Sequence, residues 1–592
     1  MNSKHWHLKT LPHLPEHFKV IQHLKDEVKV SDTLATLLWQ RDIYTYDQAK
    51  NFFRPSLDQL HDPFLMKDMN LAVNRLTIAL NQQEKILVYG DYDVDGTTAV
   101  ALVYGFLSSL TNQLDFYVPD RYKEGYGISK QGIDWAKEQG ISLIIALDCG
   151  IKAIQEVDYA KSLGIDMIIC DHHEPGEAIP QACAVLDPKR KDCLYPFKEL
   201  SGNGVGFKLM QALSITQGIP LDHLYAFLDL CVVSIGADIV PIVGENRILA
   251  YFGLKKLNES ACIGLLALKK VAGFVDPMTI ENVVFVLGPR INAAGRIFHA
   301  RSAVQLLLSQ DFNQAWEVAQ EIHTYNAQRR DLDSSITEEA LQMIQADPWL
   351  ANEALSTVLY NPNWHKGVIG IVASRCIERV YRPTIVLTKS QDKAAGSARS
   401  IPGFDLYAAI EACSDWLVQF GGHMHAAGMT ILPENIPGFA KAFDEEVKKR
   451  LTADMLVPKV WIDLPISFQD ITPKFFRIVK QMGPFGPHNM QPVFVTHQVS
   501  LVNPPVRLKE KHLKLQVMEI SSGISFVALG FGMAEDFYDK LQSKEPFALT
   551  YTLEENNFRG SVSLQLMIKD IKWEYDVKIP SHSPEITDSI LS

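Results

Sequence analysis

The chain has 592 residues, of which 47% are hydrophobic and 21% are charged. These proportions are close to the average of globular domains and exclude a disordered or collagen-like chain. At roughly 100–200 residues per domain, the length predicts three or four domains. The 57 Lys and Arg against 69 Asp and Glu give a formal net charge of −12, which argues against non-specific coating of duplex nucleic acid but leaves room for a local basic groove.

The sequence contains neither a signal-peptide pattern nor an uncharged apolar stretch of membrane-spanning length. Its first residues, MNSKHWHLKTLPHLPEHF, lack an apolar core. The most apolar stretch, 224–243, is interrupted by Asp229 and Asp238. The eight cysteines form no CxxC pair, which predicts neither a disulfide framework nor a zinc ribbon and fits a reducing compartment. We therefore expect a cytoplasmic protein without a membrane contact.

Apolar runs alternate with helical patterns after the first 60 residues, which are the least informative. The runs are ILVYG (86–90), LDFYVP (114–119), LIIALD (143–148), MIIC (167–170) and AVLDP (184–188). They predict buried parallel strands linked by crossover helices, that is, a doubly wound α/β sheet. Ligands of such sheets bind beyond the carboxyl ends of the strands. Acidic residues fall at those ends: Asp91, Asp93, Asp95, Asp148 and Asp171.

The remaining chain shows three further patterns. Apolar residues between Phe312 and Pro348 follow helical spacing, which predicts one long helix or a broken pair between domains. A second, smaller α/β pattern runs from residue 357 to residue 432. After Val457 the hydrophobic period changes to two over six short segments, with turn residues such as EENNFRG between them. This change predicts a C-terminal β-barrel of the oligonucleotide-binding type.

These patterns divide the chain into predicted segments. We expect an N-terminal segment (1–60), an α/β catalytic domain (61–311), a connecting helix (312–348), a second α/β domain (349–455), the barrel (456–578) and a C-terminal tail (579–592).

Three aspartates, Asp91, Asp93 and Asp95, alternate in the segment YGDYDVDG. The pattern resembles a calcium loop, but an EF-hand needs a Glu about six residues after the Gly, and Val100–Gly105 contains none. One interpretation is purely structural: a solvated turn with an Asp helix cap. Because three acids so close together repel one another unless a cation neutralises them, a metal site is the alternative.

Three further segments carry acids or imidazoles near apolar runs. Asp148 lies in ALDCG, and Asp171, His172 and His173 lie in CDHHEP. A lone Asp after a strand is most often a helix cap, but paired His beside Asp forms a mixed donor set for a divalent metal. Asp238 lies inside the most apolar stretch, where an unpaired carboxylate is costly unless it meets a cation. Together these donors suffice for two ions that promote phosphoryl displacement, and their oxygen-rich set favours Mn²⁺ or Mg²⁺ over Zn²⁺.

The segments DYDVDG, LDCG, DHHEP and GADIVP, in this order, resemble the four motifs of the DHH phosphoesterase family. GSARSIPGFDL (396–406) and GGHMHAAG (421–428) resemble the domain associated with it. LGPRINAAGRI (287–297), GPFGPHNMQPVF (483–494) and LEENNFRG (553–560) are similar to segments of the family's bacterial single-strand-specific 5′→3′ exonucleases. The likeness extends from about Ile86 to Trp573.

The resemblance implies roles for the acids and histidines. The implied metal ligands are Asp93, Asp95, Asp148, His172 and Asp238, with Asp148 as the bridge between two ions. His173 would contact the scissile phosphate or assist proton transfer, and Asp171 would orient the histidine pair. Asp91 would be an additional ligand or an acid behind the ligands. Some distant phosphatases of the superfamily have a His at the position of Tyr89, which affects the geometry of one ion.

The resemblance also implies contacts with the nucleotide backbone. The associated domain would bind it through Arg399, Gly421, Gly422 and His423, and a further phosphate-contacting segment would use Arg290, Asn292 and Arg296. Glycine lets phosphate approach the backbone closely, and Arg grips phosphate bidentately. In the barrel, the basic stretch 507–514 is either a solvated face or a strand-binding surface, with Arg507 and Lys511 as the contacts and Phe531 and Phe558 as candidate stacking groups.

By resemblance, the chain is a metal-dependent exonuclease that releases mononucleotides from the 5′ end of single-stranded DNA in repair and recombination. The 5′ polarity and the preference for DNA rest on resemblance alone. One alternative is a phosphodiesterase for short oligonucleotides or cyclic dinucleotides, although those relatives lack the added barrel. Another is a non-catalytic single-strand-binding scaffold, against which the intact acids argue. The resemblance also implies cooperation with single-strand-binding protein and a RecQ-type helicase, and we expect a monomer.

Overall fold

The structure is a computed structural model that describes residues 4–543, 545–558 and 561–573, without the side chains of residues 557, 558, 561 and 562. The chain divides into two compact units. The core unit comprises Pro55–Leu456 and Pro484–Met490, and the terminal unit comprises Met1–Arg54, Val457–Gly483 and Gln491–Ser592. Within the described part of the chain, no helix has the length and apolar character needed to cross a membrane.

The first elements of the chain belong to the terminal unit. They are β1 (His5–Leu8), α1 (Pro15–Val28), α2 (Asp32–Trp39) and α3 (Tyr46–Phe53). Ser31 caps α2 by accepting a hydrogen bond from the Leu34 amide, and Thr45 forms a capping box with Gln48 at the start of α3.

A five-stranded parallel sheet forms the centre of the core unit. Its strands are β2 (Ile86–Gly90), β3 (Leu114–Tyr117), β4 (Leu143–Leu147), β5 (Asp166–Cys170) and β6 (Ala184–Leu186), in the order β3-β2-β4-β5-β6. The order reverses between β2 and β4, and ligands of open α/β sheets bind at such a switch point. The predicted doubly wound sheet is confirmed, and the acids that follow β2 and β4 lie on either side of its switch point.

Both faces of this sheet are covered by helices, because alternate side chains of each strand enter different hydrophobic clusters. Ile86 and Val88 of β2 pack in one cluster, whereas Leu87 and Tyr89 pack in the other. The helices of this region are α4 (Met69–Asn81), α5 (Val94–Leu107), α6 (Lys130–Glu138), α7 (Ile154–Ser162), α8 (Gly202–Gln217), α9 (Asp222–Tyr225), α10 (Leu228–Ala237), α11 (Gly244–Glu259), α12 (Ile263–Val271), α13 (Ile280–Asn282), a π-helical turn (Val283–Leu287), α14 (Gly288–Ile297) and α15 (Arg301–Leu308).

The predicted connecting helix is one continuous element, α16 (Phe312–Ala346), of 35 residues. Asp311 caps it by accepting a hydrogen bond from the Gln314 amide, and no Gly or Pro interrupts its sequence. The alternative of a broken pair is therefore wrong.

A second sheet of the core unit is mixed, as its pairings show. Its elements are α17 (Pro348–Asn352), β7 (Thr357–Tyr360), α18 (Ile369–Val380), β8 (Thr384–Ser390), β9 (Lys393–Arg399), α19 (Leu406–Glu411), β10 (Leu417–His423), β11 (Ala426–Ile431) and α20 (Ile436–Arg450). The strand order is β10-β11-β9-β8-β7, with β10 at an edge. This sheet confirms the predicted smaller α/β domain.

The rest of the terminal unit is mainly β. Its elements are β12 (Lys459–Ile462), β13 (Leu464–Pro465), α21 (Pro473–Gln481), β14 (Phe494–Leu501), β15 (Val506–Leu508), β16 (His512–Glu519), β17 (Ser525–Gly530), α22 (Ala534–Phe537), β18 (Phe547–Phe558) and β19 (Ser561–Trp573). Short 3₁₀ helices in the two units are Leu57–Gln59, Pro63–Leu65, Ser414–Trp416, Pro433–Asn435, Ala453–Leu456, Phe468–Asp470 and Lys540–Ser543.

The seven strands from β13 to β19 form one sheet in the order β13-β14-β18-β19-β17-β16-β15. An additional pairing between β14 and β16 closes a circuit of strands, β14-β18-β19-β17-β16. The segment EENNF, expected as a turn, is instead the end of β18, because its residues pair with β19. The predicted turn residues 559 and 560 lie outside the described part.

Candidate metal centre

The loop between β2 and α5 carries the three alternating aspartates. Asp93 is the N-cap of α5, where its Oδ1 accepts a hydrogen bond of 3.0 Å from the Gly96 amide. A Cβ on Gly96 would collide with the Asp91 carbonyl, so that this turn requires glycine. Asp93 is therefore the helix cap that one of the two interpretations predicted. Asp91 and Asp95 flank this cap, next to the switch point.

Asp95 lies buried in the first turn of α5 and accepts three hydrogen bonds. Its Oδ2 accepts from the Gly202 amide (2.7 Å), and its Oδ1 accepts from the Asn203 amide (2.8 Å) and the Ser234 hydroxyl (2.7 Å). The two amides are the first of α8, so that the positive end of this helix stabilises the carboxylate.

Asp148 follows β4 in a left-handed backbone conformation with a φ of 59°. Non-glycine residues rarely adopt this conformation, which costs of order 1–3 kcal/mol and is found most often at functional sites. A Cβ on Gly202 would lie 2.5 Å from Asp148 Cβ. Glycine at position 202 is therefore required for α8 to begin beside this carboxylate.

His172 directs a buried nitrogen at three carboxylates. Its Nε2 lies 3.2 Å from Asp148 Oδ1 and 3.6 Å from both Asp95 Oδ2 and Asp238 Oδ2. Among the described residues this nitrogen has no hydrogen-bond partner. A buried polar atom is normally satisfied, and a nitrogen surrounded by carboxylate oxygens is the donor arrangement of a divalent-metal site.

The donor atoms fall into overlapping groups within 4.8 Å: Asp91, Asp93 and Asp148; Asp95, His172 and Asp238; Asp148, His172 and His173. Burial raises the pKa of Asp148 well above its usual range, and repulsion from Asp95 and Asp93 raises it further. Burial and neighbouring aspartates likewise raise the pKa values of Asp91 and Asp238. Because a bound cation relieves this repulsion, the donor set fits divalent ions.

Asp171 and His173 form an ion pair beside the donors. Asp171 Oδ1 lies 2.7 Å from His173 Nδ1, and its Oδ2 accepts a hydrogen bond of 2.8 Å from the Ile151 amide. Burial alone would raise the pKa of Asp171, but the hydrogen bond from His173 lowers it to about 2. Burial would lower the pKa of His173, yet the same bond raises it to about 9. The pair therefore fixes an imidazolium 4.0 Å from Asp148 Oδ1.

Arginines gather in the same unit. A Cβ on Gly370 would lie 2.9 Å from Arg399 Nη2, so that this guanidinium lies at the N-terminus of α18. Arg296 Nη1 donates to the Gly367 carbonyl at 2.9 Å. Burial, Arg121 and Arg399 lower the pKa of Arg296 to about 10, and burial and Arg121 lower that of Arg399. We call Arg121, Arg296 and Arg399 the arginine group. Mutual repulsion of this kind predicts an anion-binding site.

The other predicted contacts of the core unit differ in their surroundings. Gly421, Gly422 and His423 lie on the exposed edge strand β10. Burial lowers the pKa of His423, as do His425, Arg399 and His173. His423 is therefore electrostatically coupled to both the arginine group and the Asp171–His173 pair.

Two predicted contacts lie on α14. Arg290 is buried and donates to the Val286 carbonyl at 2.6 Å, and Asn292 is half-buried. Because the Arg290 guanidinium binds within its own helical segment, only part of it is available to a ligand.

The predicted contacts of the terminal unit form a separate group. The Arg507 guanidinium lies 4.1 Å from the centroid of the Tyr538 ring. Lys511 precedes β16, and Phe531 is exposed beside the His512 ring. The side chain of Phe558 lies outside the described residues. The basic stretch thus has an exposed aromatic neighbour, as single-strand-binding surfaces do.

Several residues beside the metal donors and in the arginine group were not predicted from the sequence. The loop RYKEGYG (121–127) supplies Arg121 and also Tyr126, whose hydroxyl donates to the Asp148 carbonyl at 3.1 Å and lies 3.3 Å from the His173 ring nitrogens. Gly202, Asn203 and Ser234 were also missed. The signals were a basic and aromatic loop after a strand and the glycine-rich helix start SGNGVG. Tyr89, at the position of the phosphatase His, donates instead to the Gly127 carbonyl.

Comparison with known families matches three segments of the chain. Residues 85–235 match the DHH family N-terminal domain, residues 353–449 match the DHHA1 domain, and residues 462–570 match the RecJ OB domain. The described donors Asp91 to Asp148 and the histidine pair lie within the first match.

Similar proteins and solved structures agree with these family matches. The chain is 39% identical over 554 residues to the single-stranded-DNA-specific exonuclease RecJ of Bacillus subtilis, a match that covers 93% of this chain and 69% of the relative. It resembles the crystal structure of RecJ in complex with Mn²⁺ from Thermus thermophilus, with a TM-score of 0.82, 27% identity and coverage of 97% of this chain and 80% of that one. The Mg²⁺ complex of the Thermus protein matches with a TM-score of 0.76, 26% identity and coverage of 96% and 78%.

Proposed function

The chain belongs to the RecJ family of single-stranded-DNA-specific exonucleases, and on this premise we propose that it hydrolyses single-stranded DNA from the 5′ end with two divalent cations. The observation that carries the proposal is the convergence of Asp95, Asp148 and Asp238 on the Nε2 of His172, which has no hydrogen-bond partner among the described residues. A donor set of carboxylates with one or two imidazoles suits Mn²⁺ or Mg²⁺.

The donor groups suggest how the residues divide the two ions. Asp91 and Asp93 would serve one ion, Asp95, Asp238 and His172 the other, and Asp148, whose oxygen belongs to two of the groups, would bridge them. When bound, such ions activate water as a nucleophile and stabilise the charge of a phosphoryl displacement. The amides of Gly202 and Asn203 and the Ser234 hydroxyl would keep Asp95 in place.

His173 is the residue that we assign to the scissile phosphate. Asp171 holds its ring through Nδ1 at 2.7 Å, so that the imidazolium is oriented before substrate binds. It would donate a hydrogen bond to a phosphate oxygen or a proton to the departing 3′ oxygen. Asp171 would act through His173, by fixing the ring and maintaining its charge.

The arginine group supports the 5′ polarity. Burial and the charge of Arg121 lower the pKa values of Arg296 and Arg399, so that a dianionic group would relieve the repulsion. A terminal phosphate carries more charge than an internal phosphodiester. We therefore assign the arginine group to the 5′-terminal phosphate, which would place the first phosphodiester at the metal donors.

Roles outside the core site rest on family resemblance. We propose that Arg507 and Lys511 contact the strand, that the protein acts as a cytoplasmic monomer in DNA repair and recombination, and that single-strand-binding protein and a RecQ-type helicase are its partners. Light scattering tests the monomer, and co-sedimentation with each partner tests the interactions. The segment boundaries proposed from the sequence remain predictions.

The test of the function uses single and double strands of about 30 nucleotides, labelled at either end, with Mn²⁺, Mg²⁺ or chelator. We expect a 5′ label to be released at once as a mononucleotide, only from single strands and only with metal. Asp148→Ala should lower turnover by at least about 1,000-fold, since the bridge contributes several kcal/mol, while strand binding persists. Asp276→Asn, at an exposed position, is the control.

Two outcomes would contradict the proposal. Faster cleavage of a dinucleotide than of the long strand would identify a short-oligonucleotide phosphodiesterase. Strand binding without hydrolysis under any metal condition would identify a non-catalytic scaffold.

A further inference from the structure

An aromatic pair with one exposed member lies at the end of α14. Phe298 is 61% exposed and its ring stacks on that of Tyr325 of α16, with 5.6 Å between centroids and 19° between planes. A scattered surface phenylalanine needs no explanation. A near-parallel pair with one exposed member, however, offers a flat face to a third planar ring.

The same two helices carry Arg290 and Arg330, which have no carboxylate partner within the described part of the chain. Arg290 Nε lies 3.3 Å from His323 Nδ1. Burial lowers the pKa of Arg290, and repulsion from Arg330 and Arg329 lowers it further. Burial, Arg290 and Arg330 also lower the pKa of His323. Asp333, the buried acid of this stretch, is paired with Arg329 at 2.9 Å. The exposed Arg330, and the part of the buried Arg290 guanidinium that does not bind Val286 or His323, are therefore available to an anion.

Helix α14 connects this surface with the metal donors. A Cβ on Gly295 would lie 2.8 Å from the carbonyl oxygen of Tyr92, so that the C-terminal part of the helix packs against the aspartate loop. Arg296 belongs to the arginine group, and Arg290 lies about 9 Å away along the helix axis at 1.5 Å per residue. Phe298 follows Arg296 by two residues, so that Arg290 and the aromatic pair lie toward opposite ends of α14 with Arg296 between them.

We propose that Phe298, backed by Tyr325, stacks on a base of the substrate strand, with Arg290 and Arg330 holding phosphates of the same strand. Exposed aromatics beside cations are the combination by which single strands are bound without regard to sequence. This subsite rests on the proposed function and adds a base contact to its phosphate contacts.

The test measures binding in chelator, so that the strand stays intact. Single abasic nucleotides are placed at successive positions from the 5′ end, and affinity is read by fluorescence anisotropy. For the wild type, one or two adjacent abasic positions should weaken binding about 5- to 100-fold, the loss of one base–aromatic stack. Phe298→Ala should bind the intact strand as weakly as the wild type binds the strand with the sensitive abasic position. Its affinity should no longer fall when that base is removed, whereas the affinity of Phe298→Trp should still fall.

Three further variants separate the base contact from other effects. Val275→Ala, at a residue that is 90% exposed, should behave as the wild type. Arg290→Gln and Arg330→Gln should weaken all strands alike and leave the abasic profile unchanged, since phosphate contacts do not read bases. Thermal melts compare the stability of the variants, and the exposure of Phe298 predicts that its variants fold.

The proposal is overturned if Phe298→Ala binds intact strands as the wild type does, or if its abasic profile is that of the wild type. Absence of metal-dependent hydrolysis by the wild type would instead contradict the proposed function, and the binding assay would still report on Phe298.

Discussion

The metal donors and the arginine group are opposite in charge and also differ in how the fold assembles them. The acids follow neighbouring strands of one sheet, except Asp238, which caps the end of α10, and backbone amides hold Asp95 and Asp171. The arginine group comes from the loop after β3, from α14 and from β9 of the second sheet. In each group burial and like charge disfavour ionisation, raising the pKa of Asp148 and lowering that of Arg296.

Substitutions in the two groups should therefore have different consequences. The positions of the acids depend on the start of α8, on Gly202 and on the left-handed backbone of Asp148, so that a small backbone shift should slow hydrolysis. The arginine group depends on side-chain charge, so that its variants should change affinity with less effect on the chemical step.

Among variants that keep every metal donor, Gly202→Ala should have the largest effect. Because the added Cβ would lie 2.5 Å from Asp148 Cβ, either α8 or the Asp148 carboxylate must move. We expect turnover to fall about 100-fold, as for a displacement of about 1 Å, and stability to fall by about 1–3 kcal/mol. Single-turnover kinetics and thermal melts measure the two effects. Gly176→Ala, with no atom closer than 3.7 Å to its Cβ, should change neither, and normal turnover of Gly202→Ala would contradict the geometry.

Arg399→Gln should weaken the binding of the substrate strand. Loss of one charge-assisted contact costs about 1.5–3 kcal/mol, which predicts KM about 10- to 100-fold higher for a strand with a 5′ phosphate. For a strand with a 5′ hydroxyl, KM should change little. Steady-state kinetics with both strands checks this, with Lys393→Gln at the other end of β9 as the control. Equal losses for the two strands would remove the arginine group from the terminal phosphate.

Ser234→Ala should weaken the metal centre without removing a donor. The variant lacks the hydroxyl that donates to Asp95 Oδ1 at 2.7 Å, and loss of such a supporting bond typically costs at least about tenfold in metal affinity. Titration of activity with Mn²⁺ measures it. Ser214→Ala removes a buried hydroxyl that donates to the Met210 carbonyl at 2.8 Å and should leave the titration unchanged. Equal Mn²⁺ requirements for both variants would contradict the role of Ser234.

The smallest effect concerns salt. Each phosphate contact of a single strand contributes about 0.7 to the slope of log affinity against log salt concentration. Arg121→Gln should therefore reduce the slope by about 0.7, although the whole chain has a net charge of −12. Binding in chelator at several salt concentrations measures the slope. Lys255→Gln, at an exposed position on α11, should leave it unchanged, and an unaltered slope for Arg121→Gln would exclude a phosphate contact.

Much of the fold and of the acid cluster was predictable from sequence. The apolar runs at 86–90 and 143–147 became the central strands, and Asp91 and Asp148 lie at their ends as expected. The loop RYKEGYG was not singled out, because basic and aromatic residues in a loop carry no periodic signal. The grouping of residues 1–54 with the terminal unit was also beyond prediction, since the pairing of His5 with Lys459 joins segments that are distant in sequence.

Burial on both faces of a parallel sheet requires apolar runs separated by turns, so that the amino-acid sequence predicts which elements form and which strand ends carry acids. Local patterns do not predict that the start of α8 meets Asp95 and Asp148, or that arginines from three segments come near one another. Those approaches depend on distances between elements far apart in sequence, which local hydrophobic patterns do not encode.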